Sequence, residues 1–311
     1  MLQAVEDKTI LVTGGGGFIG SAVVDLLVKR GAKVRTLVGA PGDKVREPPA
    51  QVTSIRADIT DSSAIRELTA GADVVIHLAG PASVAASFES AVEYSRVHVG
   101  GTTALLDVCR RVGVRRFIYL SSAEVYGGPH TMPVREDFAL QARSPYAAAK
   151  ISAERFVEAF VHGFGLQAIV LRPFSIYGPR SPSESLIGTI LRQAQRDDSV
   201  VLRDLKPTRD YCYVTDLAEA ILCSCTAQLP DFCIANIGTG TGTSVADLAR
   251  LILQILGRNI PVIESPEKKR PGSSEIYNLI ADPGKAQAIL DWIPKTTLRS
   301  GLERIIQSVQ C

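Results

Sequence analysis

A glycine-rich string directly behind a short apolar strand limits this chain more than any other feature. Residues 9–12 read Thr-Ile-Leu-Val and lead into Thr13-Gly14-Gly15-Gly16-Gly17-Phe18-Ile19-Gly20. From residue 18 the pattern turns helical and runs to residue 30, where Gly31 stops it. A strand that passes through glycines into a helix opens a βαβ unit built around a phosphate. Gly14 permits the tight turn, Gly17 lets backbone approach a pyrophosphate, and Gly20 lets helix pack on strand. The anion would sit at the helix N-terminus, beside Phe18 and Ile19, where free N–H groups and the helix dipole favour it.

The alternation continues through the first half. Apolar runs at 33–38, 52–56, 73–78, 116–120 and 168–171 read as strands, with helical patterns at 18–30, 61–70, about 86–112 and 146–162. Continuous apolar strands separated by helices predict an α/β fold, a Rossmann-type doubly wound parallel sheet covered on both faces. After Arg172 the texture changes: ten prolines, from Pro173 to Pro294, separate shorter elements. A smaller C-terminal α/β substrate-binding lobe is expected there. The division is 1–171 for the dinucleotide domain, with 209–238 returning to it, and 172–208 with 239–311 for the lobe.

Composition removes other classes. The 311 residues are 46% hydrophobic, enough for a large core, and carry a net charge of only +2. Lys268-Lys269-Arg270 is too short a basic run for a nucleic-acid face. No apolar stretch reaches the length of a membrane span. The strand-like run begins by Thr9, which leaves no room for a signal peptide, so the expected location is the cytoplasm. The six cysteines include Cys223 and Cys225, but no second pair or spaced histidine makes a zinc site. Buried thiols and no metal are expected.

Tyr146 and Lys150, in Ser144-Pro-Tyr-Ala-Ala-Ala-Lys150, share one helix face. A phenol is a poor base at neutral pH. A nearby ammonium and an oxidised nicotinamide both favour its phenolate, so the pair can move a proton while the cofactor moves a hydride.

With the G-x-x-G-x-x-G spacing, these residues resemble the extended short-chain dehydrogenase/reductase family, in its nucleotide-sugar epimerase and dehydratase branch. The landmarks follow in order along residues 8–302: Ala57-Asp58-Ile59-Thr60, His77-Leu78-Ala79-Gly80, Ser121-Ser-Ala-Glu-Val-Tyr-Gly127 and the Tyr146/Lys150 helix. Then come Arg172-Pro-Phe-Ser-Ile-Tyr-Gly-Pro179, Arg209-Asp-Tyr-Cys-Tyr-Val-Thr-Asp216, Ile237-Gly-Thr-Gly240 and Arg270-Pro-Gly272. The resemblance implies that Asp58 and Ile59 meet the adenine side and that Leu78, Ala79, Gly80 and Pro173 line the dinucleotide. It implies that Ser122 holds the substrate oxygen beside Tyr146, with Lys150 on the nicotinamide ribose. Arg209 and Arg270 match positions that clamp a nucleotide diphosphate, as guanidinium forks suit phosphate oxygens. Glu124 matches a glutamate of dehydratases and decarboxylases, where a carboxylate can move a C5 proton or protonate a leaving hydroxyl.

The chain also departs from that pattern. The second strand ends in Thr36-Leu-Val-Gly39 without the usual acid, so NAD and NADP both stay open, with Lys44 or Arg46 to reach a 2′-phosphate. Ala123 replaces the aspartate of 4,6-dehydratases, His98 replaces an asparagine, and Ser175 replaces an asparagine that meets substrate phosphates. Pro81-Ala-Ser83 looks like a decarboxylase loop. The expected activity is C4 epimerisation of a nucleotide-diphosphate sugar by a homodimer. The alternatives are a dehydratase or decarboxylase using Glu124, an NADPH-dependent 4-ketoreductase, and a dinucleotide-binding sensor without turnover.

Overall fold

Apolar, β-branched runs that cannot face water on either side become the interior strands of one parallel sheet. The computed structural model describes residues 5–40, 42–43, 45–129, 131–265 and 274–310. In chain order the first strands are β1 (Thr9–Thr13), β2 (Lys33–Leu37), β3 (Thr53–Ile55), β4 (Val74–His77), β5 (Arg116–Leu120) and β6 (Gln167–Pro173). They are followed by β7 (Ser175–Tyr177), β8 (Val200–Leu202), β9 (Thr208–Tyr213), β10 (Phe232–Ile237), β11 (Gly242–Ser244), β12 (Val262–Glu264) and β13 (Asn278–Leu279). The large sheet has seven parallel strands in the order β10-β6-β5-β4-β1-β2-β3. The winding direction reverses between β1 and β4. A crevice opens there at the carboxyl ends of the strands, the place where such sheets bind ligands.

Helices cover both faces, as the doubly wound pattern predicts. On one face Val23, Val24 and Leu27 of Phe18–Lys29 pack with Leu217 and Ile221 of Val214–Ser224. On the other, Leu105, Leu106 and Cys109 of Thr102–Val112 meet Ala153, Val157 and Val161 of Pro145–Phe164. The smaller lobe is built on β9, flanked by β7, β11 and β13, with β8 paired to β12. Its core joins Ile190, Leu248, Ile252 and Leu302.

Two sequence expectations need correction. Residues 209–213 lie in β9, so the return to the large sheet starts only at Val214–Ser224 and finishes with β10. The helical stretch expected over about 86–112 is broken into Val84–Ser87, Ala91–Ser95, a wide π-helical turn at Arg96–Gly101, and Thr102–Val112. Gly100 and Gly101 weaken the regular helix, and the Thr103 hydroxyl bonds back to the Val99 carbonyl at 2.8 Å. The widened turn carries a buried His98 to the edge of the crevice. Among the described residues no helix is long and apolar enough to cross a membrane, and no cluster of side chains suits a metal ion. Cys109, Cys212, Cys225 and Cys233 are buried free thiols.

Candidate active site

The crevice is a cleft of about 790 Å³, walled by the glycine loop, the ends of β4, β5 and β6, and the helix Pro145–Phe164. Gly14 has φ +75°, and a Cβ there would stand 2.9 Å from the Ala79 backbone. A Cβ on Gly20 would lie 2.0 Å from the Gly14 carbonyl oxygen, so the loop and the helix pack backbone against backbone. Gly17 caps Phe18–Lys29 without a side-chain hydrogen bond, which leaves the first-turn N–H groups to the cleft. That cradle fits the pyrophosphate of a dinucleotide.

A hydrogen-bond chain fixes the opposite wall. Thr13 Oγ1 accepts the N–H groups of Leu78 and Ala79 at 3.2 Å and lies 2.7 Å from His77 Nδ1. His77 Nε2 lies 2.9 Å from Thr102 Oγ1, whose own proton goes to the His98 carbonyl. Thr102 has one proton to give, so His77 Nε2 donates and Nδ1 accepts from Thr13. The segment 78–80 is thereby locked between β1 and the helix beginning at Thr102.

The catalytic candidates converge because their helix is firmly started. The Ser144 hydroxyl accepts the Ala147 N–H at 3.1 Å, and Pro145 occupies the first helical position. Tyr146, Lys150 and Glu154 then follow on one buried face. Lys150 Nζ donates to the Leu120 carbonyl at 2.8 Å and stands 5.9 Å from the centre of the Tyr146 ring. Burial pushes the Tyr146 phenol up to about 12, opposed by the facing Ser122 hydroxyl. Burial lowers the Lys150 ammonium to about 7, opposed by the Glu154 carboxylate. Glu154 is itself gripped by Arg172 in a bidentate pair at 2.6 and 3.0 Å, and it accepts the Ser121 hydroxyl at 2.5 Å. Ser122 also caps the short turn Ala123–Tyr126, accepting the Glu124 N–H at 3.2 Å.

His98 completes the wall beneath Tyr146, their rings edge-on at 5.6 Å. Its Nε2 lies 2.9 Å from the Pro81 carbonyl, which only accepts, so Nε2 carries the proton. Burial, and then the nearby Lys150 charge, lower this ring to about 3, so it is neutral.

Gly14, Gly17, Phe18, Ile19, Gly20, Asp58, Ile59, Leu78, Ala79 and Gly80 all line the cleft, and so do Ser122, Glu124, Tyr146, Lys150 and Pro173. Ser83, Ser175 and Arg209 are not among the lining residues. Ser83 caps Val84–Ser87, and Arg209 pairs with Glu275 at 3.4 Å. Arg270 and Lys44 lie outside the described residues. Asp58 is already engaged by Thr60 and by Arg96 at 2.9 Å, and Arg96 holds its carboxyl well below the usual range. Sequence reasoning missed Tyr94, whose hydroxyl donates to the Ser83 carbonyl at 2.6 Å, and Asp43. For Asp43 there was a signal: it follows Gly39-Ala-Pro-Gly42, a turn composition that can return a short polar side chain to the strand end.

Comparison with known proteins agrees with this geometry. Residues 10–238 match the NAD dependent epimerase/dehydratase family. The UDP-glucose 4-epimerase of Streptomyces lividans is 33% identical over 304 residues, covering 91% of each chain. The dTDP-D-glucose 4,6-dehydratase of Mus musculus is 30% identical over 313 residues, covering 96% of this chain and 88% of the relative. Among solved structures, UDP-glucose 4-epimerase from Thermotoga maritima with UDP-glucose is similar at a TM-score of 0.89 and 30% identity. That match covers 97% of this chain and 98% of the other.

Proposed function

The chain belongs to the NAD dependent epimerase/dehydratase family, and from that premise we propose that it epimerises a nucleotide-diphosphate sugar at C4. The observation that carries this reading is the convergence of Ser122, Tyr146 and Lys150 on one cleft with the glycine cradle. When bound, the dinucleotide supplies a hydride acceptor that can also give the hydride back. Tyr146 takes the proton of the sugar 4-hydroxyl and returns it after the keto sugar has turned over. Ser122 orients the same oxygen. In the free protein the phenol is held protonated by burial, so its action as a base requires positive charge beside it. Lys150 supplies one such charge when protonated, and the oxidised nicotinamide the other. Glu154 and Arg172 anchor the face that carries Lys150.

The family supports NAD as cofactor. UDP-sugars are the first substrates to try, because the Streptomyces and Thermotoga relatives are named for UDP-glucose. A second reading, dehydration at the 4-keto stage, is favoured by one observation: Glu124 lines the cleft alongside Ser122 and Tyr146. Both are tested by incubating the purified protein with UDP-glucose, UDP-N-acetylglucosamine and dTDP-glucose in D2O. Products are followed by proton NMR. Inversion at C4 without solvent deuterium is the expected result. Deuterium at C5 with loss of water would select dehydration, and no turnover of any sugar would overturn both.

A further inference from the structure

The loop after β2 returns a carboxylate to a strand end that has none in its own sequence. Residues 36–40 are Thr-Leu-Val-Gly-Ala, yet the Ala40 N–H donates to Asp43 Oδ2 at 2.9 Å. The same oxygen would lie 3.1 Å from a Cβ built on Gly39, so the carboxylate rests against the glycine two residues beyond the end of β2. Gly39, Ala40 and Asp43 line the cleft together with the adenine-side residues Asp58 and Ile59. Among the described residues, Asp43 Oδ1 takes no hydrogen bond.

The nearby arginines are engaged elsewhere. Arg46 Nη1 pairs with Asp25 at 2.5 Å, and its backbone N–H is bound to the Gly16 carbonyl at 2.9 Å. Arg56 pairs with Glu47 and reaches only the main-chain carbonyl of Asp43, at 3.3 Å. A dianionic phosphate placed at this strand end would face a carboxylate, whereas a ribose hydroxyl would find an acceptor. In dinucleotide folds that acceptor normally stands at the strand terminus itself.

We propose that Asp43 is the specificity-determining residue for the cofactor, selecting a dinucleotide with a free adenosine 2′-hydroxyl and refusing the 2′-phosphorylated form. The inference rests on the reading that this cleft holds a dinucleotide. Asp43 reaches its place by folding back from three residues beyond Ala40, so the selection is made by a loop rather than by the strand. Removing its charge loses a charge-assisted hydrogen bond to the hydroxyl and a repulsion against the phosphate.

The test is isothermal titration of nucleotide-free protein with NAD+ and, separately, NADP+, for the wild type, Asp43→Asn, Asp43→Ser and a control, Asp25→Asn. Circular dichroism on each variant verifies the fold. The wild type should prefer NAD+ by roughly a hundredfold or more, and Asp43→Asn should shrink that preference by roughly tenfold or more. Asp43→Ser should do the same, while Asp25→Asn, by freeing Arg46, should improve NADP+ binding with NAD+ nearly unchanged. A preference that stays within threefold of wild type in both Asp43 variants would overturn the role of Asp43 alone. A wild type that binds both nucleotides equally would do the same. If neither nucleotide binds the wild type, the dinucleotide reading falls as well.

Discussion

Lys150 donates its ammonium proton to the main-chain carbonyl of Leu120 across 2.8 Å, at the last residue of β5. The next two residues, Ser121 and Ser122, are respectively a partner of Glu154 and a wall of the cleft. One contact therefore sets the height of the Tyr146–Lys150 face against the strand that delivers Ser122. It also holds the ammonium in a buried place where the charge is poorly solvated.

That burial makes stability depend on pH. Lys150 falls from its ordinary 10.5 to about 7 in the folded protein. Between those values the unfolded chain binds more protons than the native one, so stability rises with pH across the interval; it is lost as pH falls from 10.5 to 7 and is flat below. Urea unfolding of cofactor-free wild type minus Lys150→Met should give a difference rising by several kcal/mol, on the order of 4, from pH 7 to 10. A flat difference would mean that Lys150 keeps its charge at no expense to the fold.

Removing the Tyr146 hydroxyl removes the proposed proton carrier and little else, since the ring remains to pack on His98 at 5.6 Å. Tyr146→Phe should lower kcat by roughly 10²–10⁴-fold with KM for the nucleotide sugar nearly unchanged. The melting temperature should stay within a few degrees of wild type. Steady-state kinetics together with thermal unfolding separates this outcome from a general loss of structure.

The parts legible in the sequence were those with a strict local period or a short motif. The glycine loop, the helix that follows it and the Tyr146–Lys150 face rest on contacts between near neighbours in the chain, so their spacing carries the information. Residues fixed by long-range contact were not legible. Glu154 and Arg172 look like ordinary surface charges until β6 brings them together at 2.6 Å. His98 read only as a replacement for an asparagine, and the wide turn at Arg96–Gly101 shows how it comes to underlie Tyr146. Asp43 is a different case: its contact to Ala40 spans only three residues and the turn composition signals it, but a strand-end rule looks at the strand and not at the loop that follows.

The Glu154–Arg172 pair is almost fully buried, with both side chains 1% exposed. Arg172 also donates to the Tyr126 hydroxyl at 2.9 Å, and Tyr126 donates to Asn236 at 2.7 Å. Arg172→Met would leave the Glu154 carboxylate buried without its main partner, which should destabilise the protein by about 3–5 kcal/mol. The double variant Arg172→Met with Glu154→Leu should recover much of that loss, because an apolar pair of similar volume avoids the unpaired charge. Urea titrations of the three proteins measure both steps. Recovery of stability without recovery of turnover would assign the pair to placing Lys150 rather than to holding the fold.

Gly20 offers the cleanest separation of binding from folding. A methyl group there would stand 2.0 Å from the Gly14 oxygen and 2.8 Å from the Gly15 Cα, all main chain, so no rotamer change relieves it. The glycine loop must move, and the cradle moves with it. Gly20→Ala should weaken NAD+ binding by roughly a hundredfold while lowering stability by only about 1–3 kcal/mol, the range for an added core methyl. Gly163→Ala is the matched control. Gly163 sits in the helix Pro145–Phe164 with nothing within 4 Å of its would-be Cβ, so alanine there should raise stability by about 0.4–1 kcal/mol and leave binding alone. Titration calorimetry and urea unfolding on the two variants decide the matter. Wild-type affinity in Gly20→Ala would show that the contact between loop and helix is not what shapes the cradle.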